Sequence, residues 1–531
     1  MTLSFSGATG NIVVYLIKYY NFKSIDAAQL INIISGSSSF SPLLGAIISD
    51  SFIGCLPVTI FSSIASLFLL MASEMSFSII ILTLTAGIKV FRPSNLHTSP
   101  TSFQLGLLYT ALALYVVGTG GTRYNIMAMG ADQLSNVDDQ DVFFNWYFIV
   151  FYMAGVIGIT VIVYIEDSIS WVLGYGICSA VNALAVLSLL LGVKYYRRPG
   201  LKENPFMAIA RVLVAGFRKR KLELPTETVA YYHRPSERAD QPPSQTFRCM
   251  NRAAVIQQRD VAIDGSIARP WSLCTVEEVE DLKTLLRIVP LWTSLFITSS
   301  IIISISIATQ ASLSVLQALT MDRSFSPHLF IPAGSFYVTT LLATCFTLFI
   351  LDRAIYPLCH SLTSYTPTPL QRIGIGQAFN IAAMAASALV ERQRSTIVHE
   401  HQAESQPDWI VPMSAFWLVL PCVLTGIGEA FHFPGQIAFY YQEFPESLKS
   451  TSTGMIAVIL SVGFYCSTGL VEVVRRATSW LPDNLNSSRL ENVYWLLTVM
   501  TSINFAYYIL CAKLYKYKRD KNVVVAANSE Y

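Results

Sequence analysis

The stretch PAGSFYVTTLLATCFTLFIL, from Pro332 to Leu351, contains no charged side chain. Wound as a helix at about 1.5 Å per residue it is about 30 Å long, the thickness of a bilayer's hydrocarbon core, and it satisfies its own backbone there. Val172 to Val193 is a second run of the same kind. Working outward from these two, hydropathy and flanking charges predict helices over Ser4–Tyr20, Ala27–Ser49, Leu56–Ile88, Gln104–Thr122, Phe143–Ile165 and Val172–Val193. A second set covers Leu285–Ala308, Pro332–Leu351, Ile373–Val390, Val411–Phe433, Met455–Val474 and Val493–Leu514. The first is barely long enough to span and the third is overlong. The expected fold is an all-α membrane protein of about twelve transmembrane helices in two six-helix bundles.

Composition agrees. Of 531 residues, 53% are hydrophobic and 13% charged, against roughly a quarter charged in soluble domains. The net charge of +2 is small, and basic residues are not interleaved with aromatics, so nucleic acid is not an expected partner. The lipid bilayer is. The nine cysteines stand singly, as Cys345, Cys422 and Cys466 do, without CxxC or metal-ligand spacing, and read as packing residues. There is no Gly-rich phosphate loop, HExxH, GxSxG or HxxxxD, so neither an enzyme, a cofactor nor a metal is expected. The apolar start from Leu3 to Leu16 runs on to Tyr20 without a small-x-small cleavage site, so no cleavable signal is read.

Residues 194–283 concentrate lysine and arginine, including the run Arg218-Lys219-Arg220-Lys221, and the tail repeats this with Lys513, Lys516, Lys518, Arg519 and Lys521. Both are expected on the cytoplasmic side, with both termini. The division is then a first bundle over 1–193, a cytoplasmic linker over 194–283, a second bundle over 284–515 and a tail over 516–531. Arg475-Arg476 falls outside in this topology, against the charge rule, and nothing in the sequence explains it. The sequon Asn486-Ser487-Ser488 lies in the same outer loop.

Two bundles joined by a linker imply an internal parallel repeat, so functional positions should recur. Asp50 ends the second helix and Asp352 the eighth; Arg123 ends the fourth and Glu429 lies in the tenth. An ionisable group near the bilayer centre costs at least about 2.5–3.5 kcal/mol, so those that persist face a partner or a watery cavity. Glu429, in GIGEAFHFP from Gly426 to Pro434, has no basic residue nearby on its helix. It reads as a substrate-cavity residue, with a helix–helix hydrogen bond as the alternative. Its glycines permit close helix approach or local unwinding, and Pro421 and Pro434 favour kinks. Arg123 closes GTGGTR from Gly118, where it either lends positive potential to the cavity or snorkels to the headgroups. Asp50, with Gly54 in the turn after it, reads as a gating or capping residue, as does Asp352. His432 reads as a packed, hydrogen-bonded histidine, Glu74 as a break in the overlong helix, and His399 and His401 as solvated.

These residues carry a resemblance. GTGGTRY from Gly118, GADQ from Gly130, FFNWYF from Phe143, WSLCTVEEVEDLK from Trp271, and GIGE from Gly426 through FPESLK ending at Lys449 resemble the plant nitrate transporter and peptide transporter family. This is also called the proton-dependent oligopeptide transporter family, part of the major facilitator superfamily. FHFP from Phe431, FFNW from Phe143 and LSVLQAL from Leu313 are most similar to its nitrate-excretion branch, which moves nitrate or chloride. The resemblance implies that Arg123 is the family's basic residue at the end of helix four and Glu429 its helix-ten cavity acid. There are departures. The family's proton-coupling ExxE[K/R] would fall before and at Met1 and Thr2, Gly54 is followed by Cys55 rather than arginine, and Leu285 to Thr320 contains no histidine. Helix three carries extra residues around Ser73-Glu-Met-Ser76.

The resemblance thus implies a transporter of nitrate or chloride in the plasma membrane, working by alternating access, of low affinity and without obligatory proton coupling. Proton-coupled transport of small peptides or plant metabolites is the alternative within the fold, and a non-transporting receptor or regulatory protein the alternative outside it.

Overall fold

The computed structural model describes residues 2–48, 100–131, 150–192, 205–222, 247–257, 267–292, 297–326, 329–363, 367–407, 409–443 and 449–515, with a few shorter pieces between them. In the first half, helices α1 (Thr2–Gly10), α2 (Ile12–Tyr20), α3 (Ser24–Ile48), α4 (Ser102–Ala131), α5 (Val150–Ser168) and α6 (Trp171–Gly192) appear. The linker holds α7 (Pro205–Arg218) and leads into α8 (Val276–Trp292). The second half continues with α9 (Thr298–Leu319), α10 (Ala333–Cys359), α11 (Pro369–Glu400), α12 (Val419–Glu443), α13 (Lys449–Ala477) and α14 (Leu490–Leu514). Among the described residues eight helices, α5, α6 and α9 to α14, are long and apolar enough to cross a membrane. The expected overlong third helix, with Glu74, lies outside the described residues.

Several boundaries differ from expectation, each for a physical reason. The first predicted helix is broken between α1 and α2 at Asn11, where two weak helix formers, Gly10 and Asn11, adjoin. The seventh does not stop at Ala308 but runs as α9 to Leu319. Its last turns carry Thr309, Gln310, Ser312, Ser314 and Gln317, polar enough to read as a helix end, yet all are buried against protein rather than lipid. The ninth does not stop at Val390; α11 starts at a capping box, with Thr368 and Gln371 bonded reciprocally and Pro369 in the first turn, and continues to Glu400. Val411–Ser414, expected as helix, is a short strand parallel to Met321–Asp322.

Helix α9 is the hub of the second bundle. Ser306 donates to Asn380 Oδ1 of α11 at 2.7 Å, Gln310 to Ser387 of α11 at 3.2 Å, and Thr425 of α12 to Gln310 Oε1 at 2.5 Å. Thr309 shares a 2.8 Å bond with Ser467 of α13. Because lipid tails are as apolar as leucine, helices associate there through close packing and such interhelical bonds, each contributing roughly 0.6–2 kcal/mol.

The two halves meet along α3 and α13, which run antiparallel. Arg475 reaches Asp26 Oδ1 at 2.5 Å, Gln29 donates to Glu472 at 3.2 Å, Asn32 donates to Ser467 and to Ser312 of α9 at 3.3 Å each, and Ser37 bonds Tyr465 at 2.7 Å. Positions climb one helix as they descend the other, so the seam is a ladder. At the same end Lys23 pairs with Asp483 at 2.6 Å and Arg323 with Asp167 at 3.7 Å. Ser335 donates to the Ile159 carbonyl at 2.8 Å, and Gly334 lies so close to the Gly10 carbonyl that no Cβ fits there. The halves are shut against each other at the Arg475 end. The arginine that the sequence left unexplained, Arg475, is a rung of this closure; Arg476 pairs with Glu472 beside it at 2.5 Å.

Candidate substrate cavity

Glycine places Glu429. A Cβ on Gly426 would stand 2.5 Å from the Thr340 carbonyl, and one on Gly376 would stand 2.7 Å from the Gly428 carbonyl. So α12 packs backbone to backbone on α10 through Gly426 and on α11 through Gly428, while Thr344 Oγ1 donates to the Gly426 carbonyl at 3.1 Å. The close approach expected of these glycines is present; the unwinding is not, since α12 is helical throughout, Pro434 included.

One turn on, Glu429 lines a narrow cleft between α9, α10 and α12, together with Gln310, Ser314, Tyr337, Thr340 and Thr425 and the apolar Ile307, Val315, Phe336 and Cys422. Glu429 is the one acidic side chain on this wall, and no lysine, arginine or histidine lines it among the described residues. The bonds from Gln310 to Ser387 and from Thr425 to Gln310 fix the amide and hydroxyl lining. His432, three residues on, is packed, 1% exposed and against Phe433.

The other expected site residues fall elsewhere. The backbone of Arg123 lies in α4 and that of Asp352 in a π-helical turn, Leu351–Ile355, within α10, but their side chains lie outside the described residues. So do Asp50 and Gly54 entirely.

Two clusters of buried charge escaped the sequence reading because each begins at a predicted helix end. Arg394 and Glu391 of α11 are both 0% exposed and paired in a bidentate fork, Nε to Oε2 at 2.9 Å and Nη2 to Oε1 at 2.7 Å. Gln317 donates to the same carboxylate at 2.7 Å and Tyr494 to Gln317 at 2.9 Å. Arg394 also donates to Asn486 Oδ1 and to the Leu485 carbonyl, each at 3.0 Å. The Asn486 amide is spent on the carbonyls of Gln406 and Trp409 at 2.8 and 3.0 Å, so in the folded chain the sequon asparagine, 3% exposed, is a structural clamp rather than an open glycosylation acceptor. The i,i+3 spacing of Glu391 and Arg394 was the available signal. Glu166 of α5 is the other case: it is 1% exposed, neither carboxylate oxygen has a hydrogen-bond partner among the described residues, and Gly174 leaves the room it occupies.

A profile of the POT family matches residues 65–490. The chain belongs to that family. As a POT-family protein it is a membrane transporter of small solutes rather than an enzyme. It is 42% identical over 528 residues to Protein NRT1/ PTR FAMILY 2.6 of Arabidopsis thaliana, spanning 98% of this chain and 91% of that one, and 43% identical to Protein NRT1/ PTR FAMILY 2.7 of the same plant over the same shares. Among solved structures, an auto-inhibited POT family peptide transporter superimposes with a TM-score of 0.69 at 18% identity, covering 97% of this chain and 95% of that one. The POT family transporter PepTSo gives 0.65 at 16% identity, covering 96% and 95%. The POT-family chain therefore has the major facilitator fold.

Proposed function

We propose that this transporter carries nitrate or chloride across the plasma membrane by alternating access, with the linker over 194–283 and both termini in the cytoplasm and the Arg475 end outside. The observation that carries the reading is the wall around Glu429: Gln310, Ser314, Thr340 and Thr425 stand among apolar Ile307, Val315 and Phe336, a narrow lining suited to a small solute with few polar contacts. Arg123, on α4 of the opposite bundle, supplies the positive potential that attracts an anion. The bundles, 1–193 and 284–515, rock about this cavity, with Asp50, Gly54 and Asp352 latching the inner side.

The test is anion flux into vesicles containing the purified protein. Arg123→Ala abolishes flux while leaving the elution profile unchanged; undiminished flux removes Arg123 from the site. Glu429 favours one further reading, because a lone carboxylate also suits the amino group of a small peptide or metabolite. A dipeptide that competes for uptake where nitrate does not would establish that reading instead.

A further inference from the structure

The basic run of the linker divides. Lys219 turns inward, 4% exposed, with Nζ on Asp260 Oδ2 at 2.8 Å and on the Val255 carbonyl at 2.6 Å. Arg218, Arg220 and Lys221 remain exposed. Just before them, α7 has two unlike faces. Val212 and Ala215 are buried in the linker's own core, and Arg211 pairs with Glu278 at 3.5 Å. On the other face Leu213 and Phe217 stand one turn apart, 50% and 67% exposed, and nothing lies near the position a Cβ of Gly216 would take between them.

Ile209 fixes where this helix sits. It packs on the linker core and also on the apolar cluster of Leu370, Phe439, Tyr508 and Tyr515 at the end of the second bundle opposite Arg475. The apolar spans of α11, α12 and α14 begin or end at that level, at Pro369, Phe439 and Lys513, so α7 lies beside the end of the bundle with an apolar stripe uncovered. The cations cluster at the end of that stripe. The Arg220 guanidinium lies 4.6 Å over the Phe217 ring, and Arg218 donates to the Trp271 carbonyl at 3.3 Å.

We propose that the Leu213–Phe217 face of α7 docks on the anionic headgroups of the cytoplasmic leaflet, the apolar pair entering the acyl boundary while Arg218, Arg220 and Lys221 meet the phosphates and carboxylates. Charge complementarity selects this occupant: a helix lying in an interface combines one apolar face with basic residues at its border, and anionic lipid is concentrated on the cytoplasmic side. The inference rests on the cytoplasmic placement of the linker proposed above and is independent of the solute carried.

The experiment uses the full-length chain with a fluorescent amino acid in place of Leu213, in vesicles of brominated phosphatidylcholine with or without phosphatidylserine. Bromine quenching is expected to be strongest with phosphatidylserine, and the paired substitution R220Q/K221Q is expected to weaken lipid contact there by roughly tenfold. Absence of quenching in both vesicles overturns the proposal, as does equal quenching in both that the paired substitution leaves unchanged. Quenching of neither kind but a signal rising with protein density identifies a second copy of the chain as the occupant, and also overturns it. Flux recorded in the same vesicles separates the two readings, since loss of anion flux with quenching intact bears on the solute alone.

Discussion

Arg475 at the end of α13 and Asp26 in the first turn of α3 stand 2.5 Å apart and join the two bundles at one membrane face. Both are partly exposed, and Arg475 is shared with Asp483 at 3.0 Å. An ion pair of this exposure contributes about 0.2–1 kcal/mol, enough to bias a conformational equilibrium but not to lock it. Arg475→Gln should therefore raise the accessibility of a cysteine introduced at Ser37, deeper in the seam, by roughly two- to fivefold. The swap of Arg475→Asp with Asp26→Arg should bring it back. Unchanged labelling in the single variant would show that the pair does not hold the closure.

Gly334 gives a sharper prediction. A methyl group there meets the Gly10 carbonyl across the interface, so Gly334→Ala destabilises the closed arrangement by about 1–3 kcal/mol while touching neither bundle's own core. The variant should elute and melt like the parent. Its flux should fall, and reagents should reach Ser335 more readily.

Within the second bundle, Arg394→Met strands the Glu391 carboxylate at 0% exposure and should cost about 3–5 kcal/mol, seen as a lowered melting temperature in detergent. Glu391→Gln combined with Arg394→Met should recover much of the loss, because no unpaired charge is left. If the double variant is as unstable as the single, the network holds the fold by shape rather than by charge.

The linker has a pH dependence of defined sign. Burial alone would raise the Glu280 carboxyl, but hydrogen bonds from Lys283 and from the Ser244 side chain and backbone prevail and hold it below its ordinary 4.5. Lys283, 2% exposed, lies 2.6 Å from it. A group lowered on folding contributes stability that is complete above its unfolded value and lost as pH falls through the folded one. Amide exchange around Ser244 and Glu280 should stay slow from neutral pH down to about 4.5 and then quicken on further acidification. Glu280→Gln should flatten that profile.

What the sequence disclosed follows from how each residue's surroundings are encoded. Pro332–Leu351 and Val172–Val193 face lipid over much of their length, and lipid selects for apolarity that any hydropathy reading recovers. Thr309 to Gln317 are also in a transmembrane helix, but they face protein, and polarity there disguises a helix as a loop. Glu391 and Arg394 did the same at the end of α11, because two charges read as an exit from the membrane when each in fact neutralises the other. Glu429 drew attention because no other charged side chain falls within ten positions of it. Arg475 was not, since its partner Asp26 lies in the other bundle and no local pattern announces it. The Asn486 sequon misled for a related reason: a tripeptide carries no sign of whether its amide is free.

The hydroxyl-studded helix α9 has a mechanical consequence. It is stapled to α11, α12 and α13 inside its own bundle through Ser306, Thr309 and Gln310, while across the divide, among the described residues, it bonds α3 through the shared amide of Asn32. Force applied at the interface is then carried by four helices as one solid block. The amide of Asn32, held by Ser312 and Ser467, is then one rung among those that must part before that block can swing away from α3.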